Sequence, residues 1–177
     1  MLIQEIMVRE YFADTGNLAT FNALMEANRL EAEGGCYAQA VEPKWEAYAA
    51  LQDAGRLIVL GVFEDDHAVP GCYERCDAGC NGQCRRNGNR QLVGYGCAVV
   101  TPSLHYAHLV AVSDVIFVLP AYRKKGYGLY LMREMECRAK GMGAQFMVWQ
   151  AKTGSSLNKV LLRRGCRAEE TVYTKRL

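Results

Sequence analysis

The stretch of sequence that decides the fold runs from Asp114 to Gly128 and reads DVIFVLPAYRKKGYG. Its first half belongs to an apolar run that predicts a long strand over Leu109 to Leu119, which Pro120 ends. Its second half leads into residues that recur every fourth position, which predicts a helix over Gly126 to Lys140. The stretch therefore predicts a strand, a tight turn and a helix in succession.

The turn carries the residues that point to a ligand. Three cations, Arg123, Lys124 and Lys125, stand directly before Gly126 and Gly128. Glycine lets the backbone approach a ligand closely, and the free N–H groups at a helix start favour anions. The turn lacks the Gly-Lys-Ser/Thr of a Walker loop and the three glycines of a dinucleotide fingerprint. We therefore expect it to bind a pyrophosphate of another kind of cofactor.

The rest of the chain predicts alternating strands and helices around this unit. Further strands are predicted over 2–9, 57–63, 92–101, 146–151 and 170–175, and further helices over 17–33, 43–55 and 155–164. The segment from about 65 to 91 is rich in Gly, Asp, Asn, Arg and Cys, without apolar periodicity, which indicates an insertion between two strands. The pattern predicts one α/β domain over residues 1–177.

Composition excludes several classes of protein. Of the 177 residues, 50% are hydrophobic and 23% are charged, which is typical of a globular domain and excludes disordered, collagenous and coiled-coil proteins. No apolar run approaches the length of about 20 residues that spans a bilayer. The start of the chain has no cationic segment before an apolar stretch, so we expect a cytoplasmic protein with no membrane partner.

The positive charge is concentrated at the C-terminal end. Residues 1–122 contain 8 Lys or Arg and 15 Asp or Glu, whereas residues 123–177 contain 13 and 4. This distribution suits a partner that carries phosphates, either a nucleotide-like cofactor or a nucleic acid. Charge alone favours the simpler interpretation, a solvated helix face with Lys and Arg side chains.

The run from Asp114 to Gly128 resembles the acetyl-CoA signature of the GNAT superfamily of N-acetyltransferases, an Arg/Gln-x-x-Gly-x-Gly/Ala motif behind a strand that ends in Pro. The resemblance implies a GNAT-like mixed, mostly antiparallel sheet, splayed at its centre and flanked by helices. It also implies which residues bind acetyl-CoA. Those implied for the pantetheine arm are Ile116, Phe117 and Val118, those for the pyrophosphate are Arg123, Lys124, Lys125, Gly126, Tyr127 and Gly128, and Asn158 is a further candidate contact.

The reaction implied by the resemblance is direct transfer of an acetyl group to an amine in a ternary complex. A base must deprotonate the amine, and Asp114 occupies the position of a strand carboxylate that serves as base in many members. The alternative for Asp114 is a carboxylate that is hydrogen-bonded in the sheet or orients the substrate. His105 and His108 are competing bases, with surface histidines the simpler interpretation.

The sequence departs from the family pattern at the position of the general acid. Members often carry a Tyr on the last helix that protonates the leaving thiolate, and this chain has Leu161 at that place. Tyr173 on the predicted last strand is the candidate substitute, and water is the alternative.

Four cysteines inside the insertion have the spacing of metal ligands. Cys72, Cys76, Cys80 and Cys84 recur every fourth residue, and Cys pairs separated by two to four residues can bind one zinc ion. A structural zinc would stabilise a long loop that has no core of its own. Free thiols are the alternative, and an iron–sulfur cluster is favoured less because its usual spacings differ.

The sequence thus predicts an acetyl-CoA-dependent N-acetyltransferase with a zinc-bound insertion. The region from Glu10 to Gly55 contains eight Asp or Glu against Arg29 and Lys44, so we expect a cationic acceptor: a protein lysine or N-terminus, a polyamine-like compound or an aminoglycoside. The alternative is a GNAT-like binding module without turnover, acting on a protein partner through the cysteine loop. A nucleic-acid partner ranks last, because a cofactor phosphate already explains the basic turn.

Overall fold

The computed structural model describes residues 1–33, 41–65 and 90–169. The strands are β1 (Leu2–Glu5), β2 (Leu57–Asp65), β3 (Arg90–Pro102), β4 (Leu109–Val118) and β5 (Ala144–Val148). The helices are α1 (Val8–Tyr11), α2 (Thr15–Asn28), α3 (Trp45–Asp53), α4 (Tyr127–Gly141) and α5 (Ser156–Arg163). A π-helical turn, Arg29–Glu33, continues α2, and a 3₁₀ helix, Pro120–Lys125, precedes α4.

The five strands form one sheet in the order β1-β2-β3-β4-β5. Neighbouring strands are antiparallel from β1 to β4, and β5 runs parallel to β4. A parallel neighbour needs a crossover connection, which α4 provides. The predicted mixed, mostly antiparallel sheet flanked by helices is confirmed.

Each face of the sheet buries its own hydrophobic cluster. On one face, side chains of α2 and α3 such as Phe21, Leu24 and Ala49 pack on the strands. On the other face, Leu131 and Met135 of α4 are 0% exposed and pack on the same strands from the opposite side. Burying a side chain of this size contributes about 1.5–3 kcal/mol, so these helices are fixed mainly by their apolar faces.

A β-bulge interrupts the pairing of β3 with β4 at Asp114. Cys97 lies opposite Val115 and Ala98 lies opposite Ser113, which leaves Asp114 without an opposing residue in β3. Bulges of this kind bend a strand and are common beside active sites, where they change the direction of a side chain.

The bulge also reverses the side of the sheet that alternate residues face. Before it, Ala111 packs in the cluster beneath α4. After it, Val115 and Phe117 pack in the cluster beneath α2 and α3, although an unbroken strand would place all three on one side. The bulge at Asp114 therefore decides which side of the sheet the side chains at the end of β4 face.

Strands β4 and β5 diverge at the same place. Their parallel register runs from Leu109 opposite Ala144 to Val112 opposite Val148. Beyond it, the N–H of Gln150 donates a hydrogen bond of 3.0 Å to Oγ of the buried Ser113. Among the described residues, no ladder with β5 continues along the rest of β4, so the sheet is splayed as expected.

The first strand is shorter than predicted. β1 ends at Glu5, and α1 begins at Val8 instead of the strand continuing to residue 9. The side chain of Gln52 explains the change: its Oε1 accepts from the N–H of Val8 at 2.7 Å, and its Nε2 donates to the carbonyl of Ile6 at 2.9 Å. This amide on α3 replaces the sheet ladder and lets the chain turn into a helix.

Two predicted segments lie outside the described residues. The cysteine-rich insertion falls almost wholly on residues 66–89, and the last strand falls on residues 170–175. In the part of the chain that the structure describes, no helix is both long enough and apolar enough to cross a membrane.

Gly94 tests the packing of β3 against the end of β4. A Cβ at this position would lie 2.8 Å from the carbonyl oxygen of Phe117, a contact with backbone that cannot rotate away. We expect Gly94→Ala to lower the free energy of unfolding by about 1–3 kcal/mol, as overpacking does. Urea denaturation measures the effect. Gly141→Ala is the control, because its Cβ would meet no atom within 4 Å. Gly55→Ala is unsuitable, because Gly55 has a φ of +64°, at which a side chain is strained. An unchanged stability of Gly94→Ala would contradict this packing.

Candidate active site

The turn after β4 folds as a short 3₁₀ helix that leads directly into α4. Gly126 has a φ of +80° and stands at the start of α4, a conformation that favours glycine. The N–H groups of Leu129 and Tyr130 both donate to the carbonyl of Gly126, and no side chain caps the helix start. In the described structure, the amides of Tyr127 and Gly128 are therefore available to an anion.

The space beside Gly128 fits such a ligand. A Cβ at Gly128 would meet no protein atom within 4 Å, so packing within the chain does not require glycine there. Glycine in a helix costs about 0.5–1 kcal/mol relative to alanine. Close approach of a ligand to the backbone would explain why the residue is glycine.

Two of the three cations of the turn are held by carboxylates of the chain. Nη2 of Arg123 lies 2.6 Å from Oε2 of Glu31, and Nζ of Lys125 lies 2.6 Å from Oε1 of Glu64. These cations lower the pKa of both carboxyls, mainly through the hydrogen bonds themselves. Lys124 is exposed. The turn is thus less positive than its sequence indicates.

The residues predicted to hold pantetheine lie on the diverging part of β4. Ile116 is half-buried and Phe117 and Val118 are buried, and all three side chains pack in the two clusters. Their side chains are therefore occupied by the core, and an arm lying in the splay would meet their backbone.

Asp114 projects from the bulge at the start of this diverging part. Its side chain reaches solvent, but the protein around it removes enough water to raise the pKa of its carboxyl above the ordinary 3.8. Removal of water is the one cause of this rise in pKa, and no described cation offsets it by stabilising the charged carboxylate. Asp114 is thus a partly desolvated carboxylate that solvent can still reach.

Three weakly acidic groups that the sequence analysis missed are affected by the charge of Asp114. Burial, with a further contribution from the Asp114 carboxylate, raises the pKa of Tyr48, Tyr95 and Cys97. All three remain protonated at neutral pH, and Nδ2 of Asn28 donates to Oη of Tyr95 at 3.4 Å. The three groups come from α3 and β3, and Asn28 comes from α2, so only the tertiary fold brings these residues together.

The histidines lie at the other end of β4. His105 is exposed in the connection between β3 and β4, and His108 stacks on Tyr106 with ring centroids 5.5 Å apart. At about 3.3 Å per residue along the strand, His108 is on the order of 20 Å from Asp114. The structure does not bring either histidine to the bulge.

The comparison with known proteins decides the family. The family model described as "Acetyltransferase (GNAT) family" matches residues 73–163, just over half of the 177-residue chain. The chain belongs to the GNAT family of acetyltransferases. This membership supports acetyl-CoA as the cosubstrate. No match is found among the curated proteins.

Solved GNAT structures share the fold over the whole chain. The aminoglycoside acetyltransferase HMB0005 from an uncultured soil metagenomic sample is 16% identical, with a TM-score of 0.65 over 99% of this chain and 97% of that one. The ribosomal-protein-alanine N-acetyltransferase of Brucella melitensis biovar Abortus 2308 is 17% identical, with a TM-score of 0.58 over 100% of both chains. AAC(6')-Iy, in complex with the bisubstrate analog CoA-S-monomethyl-acetylneamine, is 15% identical, with a TM-score of 0.61 over 99% of this chain and 97% of that one.

The remaining predicted GNAT residues have different outcomes. Leu161 is buried and offers no proton, and Asn158 donates its backbone N–H to Oγ of Ser155 at 3.1 Å in the cap of α5, so its cofactor contact stays a prediction. Tyr173 lies outside the described residues, as do the four cysteines predicted to bind zinc. Within the described ranges, no group of three or more His, Cys, Asp or Glu could hold a metal ion, and no comparison supports zinc.

Gly128→Ala separates the binding of a ligand from the stability of this GNAT domain. We expect the variant to be as stable as the wild type or up to about 1 kcal/mol more stable, because alanine favours the helix. We also expect it to bind CoA at least about tenfold more weakly, because the Cβ occupies the space at the amides. Thermal unfolding and calorimetry with CoA measure the two effects. Unchanged CoA affinity would contradict the position of the site.

Proposed function

We propose that the protein transfers an acetyl group from acetyl-CoA to a cationic primary amine in a ternary complex. The observation that carries the proposal is the arrangement along β4. Asp114 stands on the bulge where β4 leaves β5, and the strand ends at a turn with open amides. β4 thus connects the proposed base Asp114, the divergence from β5 and the proposed anion site at the turn.

The backbone of the chain would bind the cosubstrate. The diverging edge of β4 at Ile116, Phe117 and Val118 would pair with the pantetheine arm, and the amides from Arg123 to Gly128 would receive the pyrophosphate. When bound, acetyl-CoA supplies the activated acetyl group. An N–H near Phe117 or Val118 would donate to the thioester carbonyl, as an oxyanion donor does.

The acceptor side favours a positively charged amine. Asp114 is a carboxylate whose surroundings on β3 and α3 are neutral, because Tyr48 and Cys97 keep their protons. An incoming ammonium would provide the opposite charge that the site lacks. Among the structural neighbours are proteins named for aminoglycosides and for a ribosomal protein, so small polyamines, aminoglycosides and protein amines are the acceptor classes to test.

Asp114 would act as the base, directly or through water. Desolvation raises its pKa towards the working pH, which improves a base that must hold a proton briefly and release it. Protonation of the departing thiolate would come from Tyr173 or from water, since Leu161 cannot supply a proton.

Asp114→Asn should separate activity from stability. We expect kcat to fall by about 10²- to 10⁴-fold, and the acidic limb of the pH profile of kcat/KM to disappear. Because the folded-state pKa of Asp114 lies above its unfolded value, stability falls as pH rises through that interval, and the charged carboxylate is unfavourable at neutral pH. Asp114→Asn should therefore raise the melting temperature at pH 7. Glu134→Gln, which removes a carboxylate of α4 paired with Arg138, is the control.

Near-normal turnover of Asp114→Asn would show that another group is the base. A retained acidic limb in the variant would lead to the same conclusion.

A screen of amines with acetyl-CoA tests the function as a whole. Free thiol is measured with polyamines, aminoglycosides, lysine peptides and peptides with free N-termini, and with anionic amino acids as controls. We expect thiol release with at least one cationic class and none with the anionic controls. Binding of acetyl-CoA without release on any amine, or no binding, would favour a GNAT-like binding module.

A further inference from the structure

The side chain of Arg123 is anchored at three points within the chain. Its Nε donates to the carbonyl of Val118 at 2.8 Å, its Nη2 lies 2.6 Å from Oε2 of Glu31, and its guanidinium lies 5.4 Å from the ring centroid of Phe117. A planar guanidinium can satisfy a carbonyl, a carboxylate and an aromatic face at once, which lysine cannot do. The group is thus engaged before any ligand arrives.

The three anchors join the two halves of the proposed site. Phe117 and Val118 are the last residues of β4, where pantetheine would lie, and Glu31 stands in the π-helical turn that extends α2. Helix α2 also contributes Asn28, which contacts Tyr95 near Asp114. Arg123 therefore connects the acceptor-side helix to the end of the cofactor strand.

The neighbouring cations have different surroundings. Lys125 is held by Glu64 at the end of β2, with its Nζ 4.9 Å from the ring centroid of Tyr122. Among the interactions of the described residues, none engages the ammonium of Lys124, which is exposed beside the open helix start. Its charge is the one in the turn that is free to follow a phosphate.

We propose that the Arg123 side chain is a positioning residue rather than a phosphate ligand: through Glu31 it fixes the pantetheine-binding end of β4 against α2, and Lys124 supplies the cation that meets the phosphates. This inference rests on the proposed function, because it assigns roles within the same acetyl-CoA site.

The opposite role for Glu31 makes a different prediction. If Glu31 only occupies Arg123 until a phosphate displaces it, removing the carboxylate would free the guanidinium and tighten CoA binding. If Glu31 is part of the anchor, removing it loosens the end of β4 and weakens CoA binding. The sign of the change therefore distinguishes the two roles.

Calorimetry with CoA on the full chain provides the test. The Kd is measured at about 50 mM and about 500 mM salt, since exposed charge interactions are screened over this range and backbone contacts are not. The variants are Glu31→Gln, Arg123→Gln, Arg123→Lys and Lys124→Gln. Glu26→Gln is the matched control, because Glu26 lies on the same helix and pairs with Arg29 rather than with the turn.

We expect Glu31→Gln and Arg123→Gln to raise the Kd by about three- to tenfold at both salt concentrations, with the wild-type salt dependence retained. Arg123→Lys should be as weak as Arg123→Gln, because an ammonium cannot make the three contacts. Lys124→Gln should weaken binding at low salt and flatten the salt dependence. Glu26→Gln should match the wild type.

Three results would overturn the inference while leaving the proposed function intact: tighter CoA binding by Glu31→Gln, restored affinity in Arg123→Lys, or a flattened salt dependence in Arg123→Gln. If Arg123→Gln fails to fold, Glu31→Gln and Arg123→Lys still decide between the roles. Failure of the wild type to bind CoA would instead overturn the proposed function, and this inference with it.

Discussion

The bulge at Asp114 is the constraint on which the rest of the site depends. It removes one residue of β4 from the ladder with β3, reverses the facing of the residues that follow, and coincides with the end of the parallel ladder to β5. Without it, Phe117 would face α4, and the end of β4 would not meet Arg123 as it does. The position of Asp114 and the facing of the residues at the end of β4 therefore result from the same bulge.

The ion pairs around the turn have a structural consequence beyond their charge. Arg123–Glu31 and Lys125–Glu64 are partly exposed pairs, and such pairs contribute at most about 1 kcal/mol each to stability. They matter because each pair joins a separate element to the six-residue 3₁₀ helix, Pro120–Lys125, that lies between β4 and α4. A loop fixed in this way keeps its amides directed at one point, which lowers the entropy cost of binding a ligand there.

The fold and the turn after β4 could be predicted because their signals are local. Pro120, the three cations and the two glycines lie within nine residues. They stand directly between the apolar run that predicts a strand and the periodic residues that predict a helix. The bulge could not be predicted, because both faces of β4 are covered by apolar clusters. The residues on the two sides of Asp114 are therefore mostly apolar, and no alternating pattern marks the reversal. Tyr48, Tyr95 and Asn28 were missed because they meet only in the tertiary structure, and α1 was missed because Gln52, far along the chain, ends the first strand.

The electrostatics of the acceptor side suit a reaction that removes positive charge. Asp114 is desolvated and, within the described structure, its raised pKa has no cationic contribution, so the free site favours either a proton or a cation. On the proposed function, an ammonium acceptor satisfies that preference on entry and gives up its proton to the carboxylate. The acetylated product is a neutral amide and no longer offers Asp114 a positive partner. On the same proposal, the carboxylate that attracts the ammonium would bind the amide product more weakly, which favours product release.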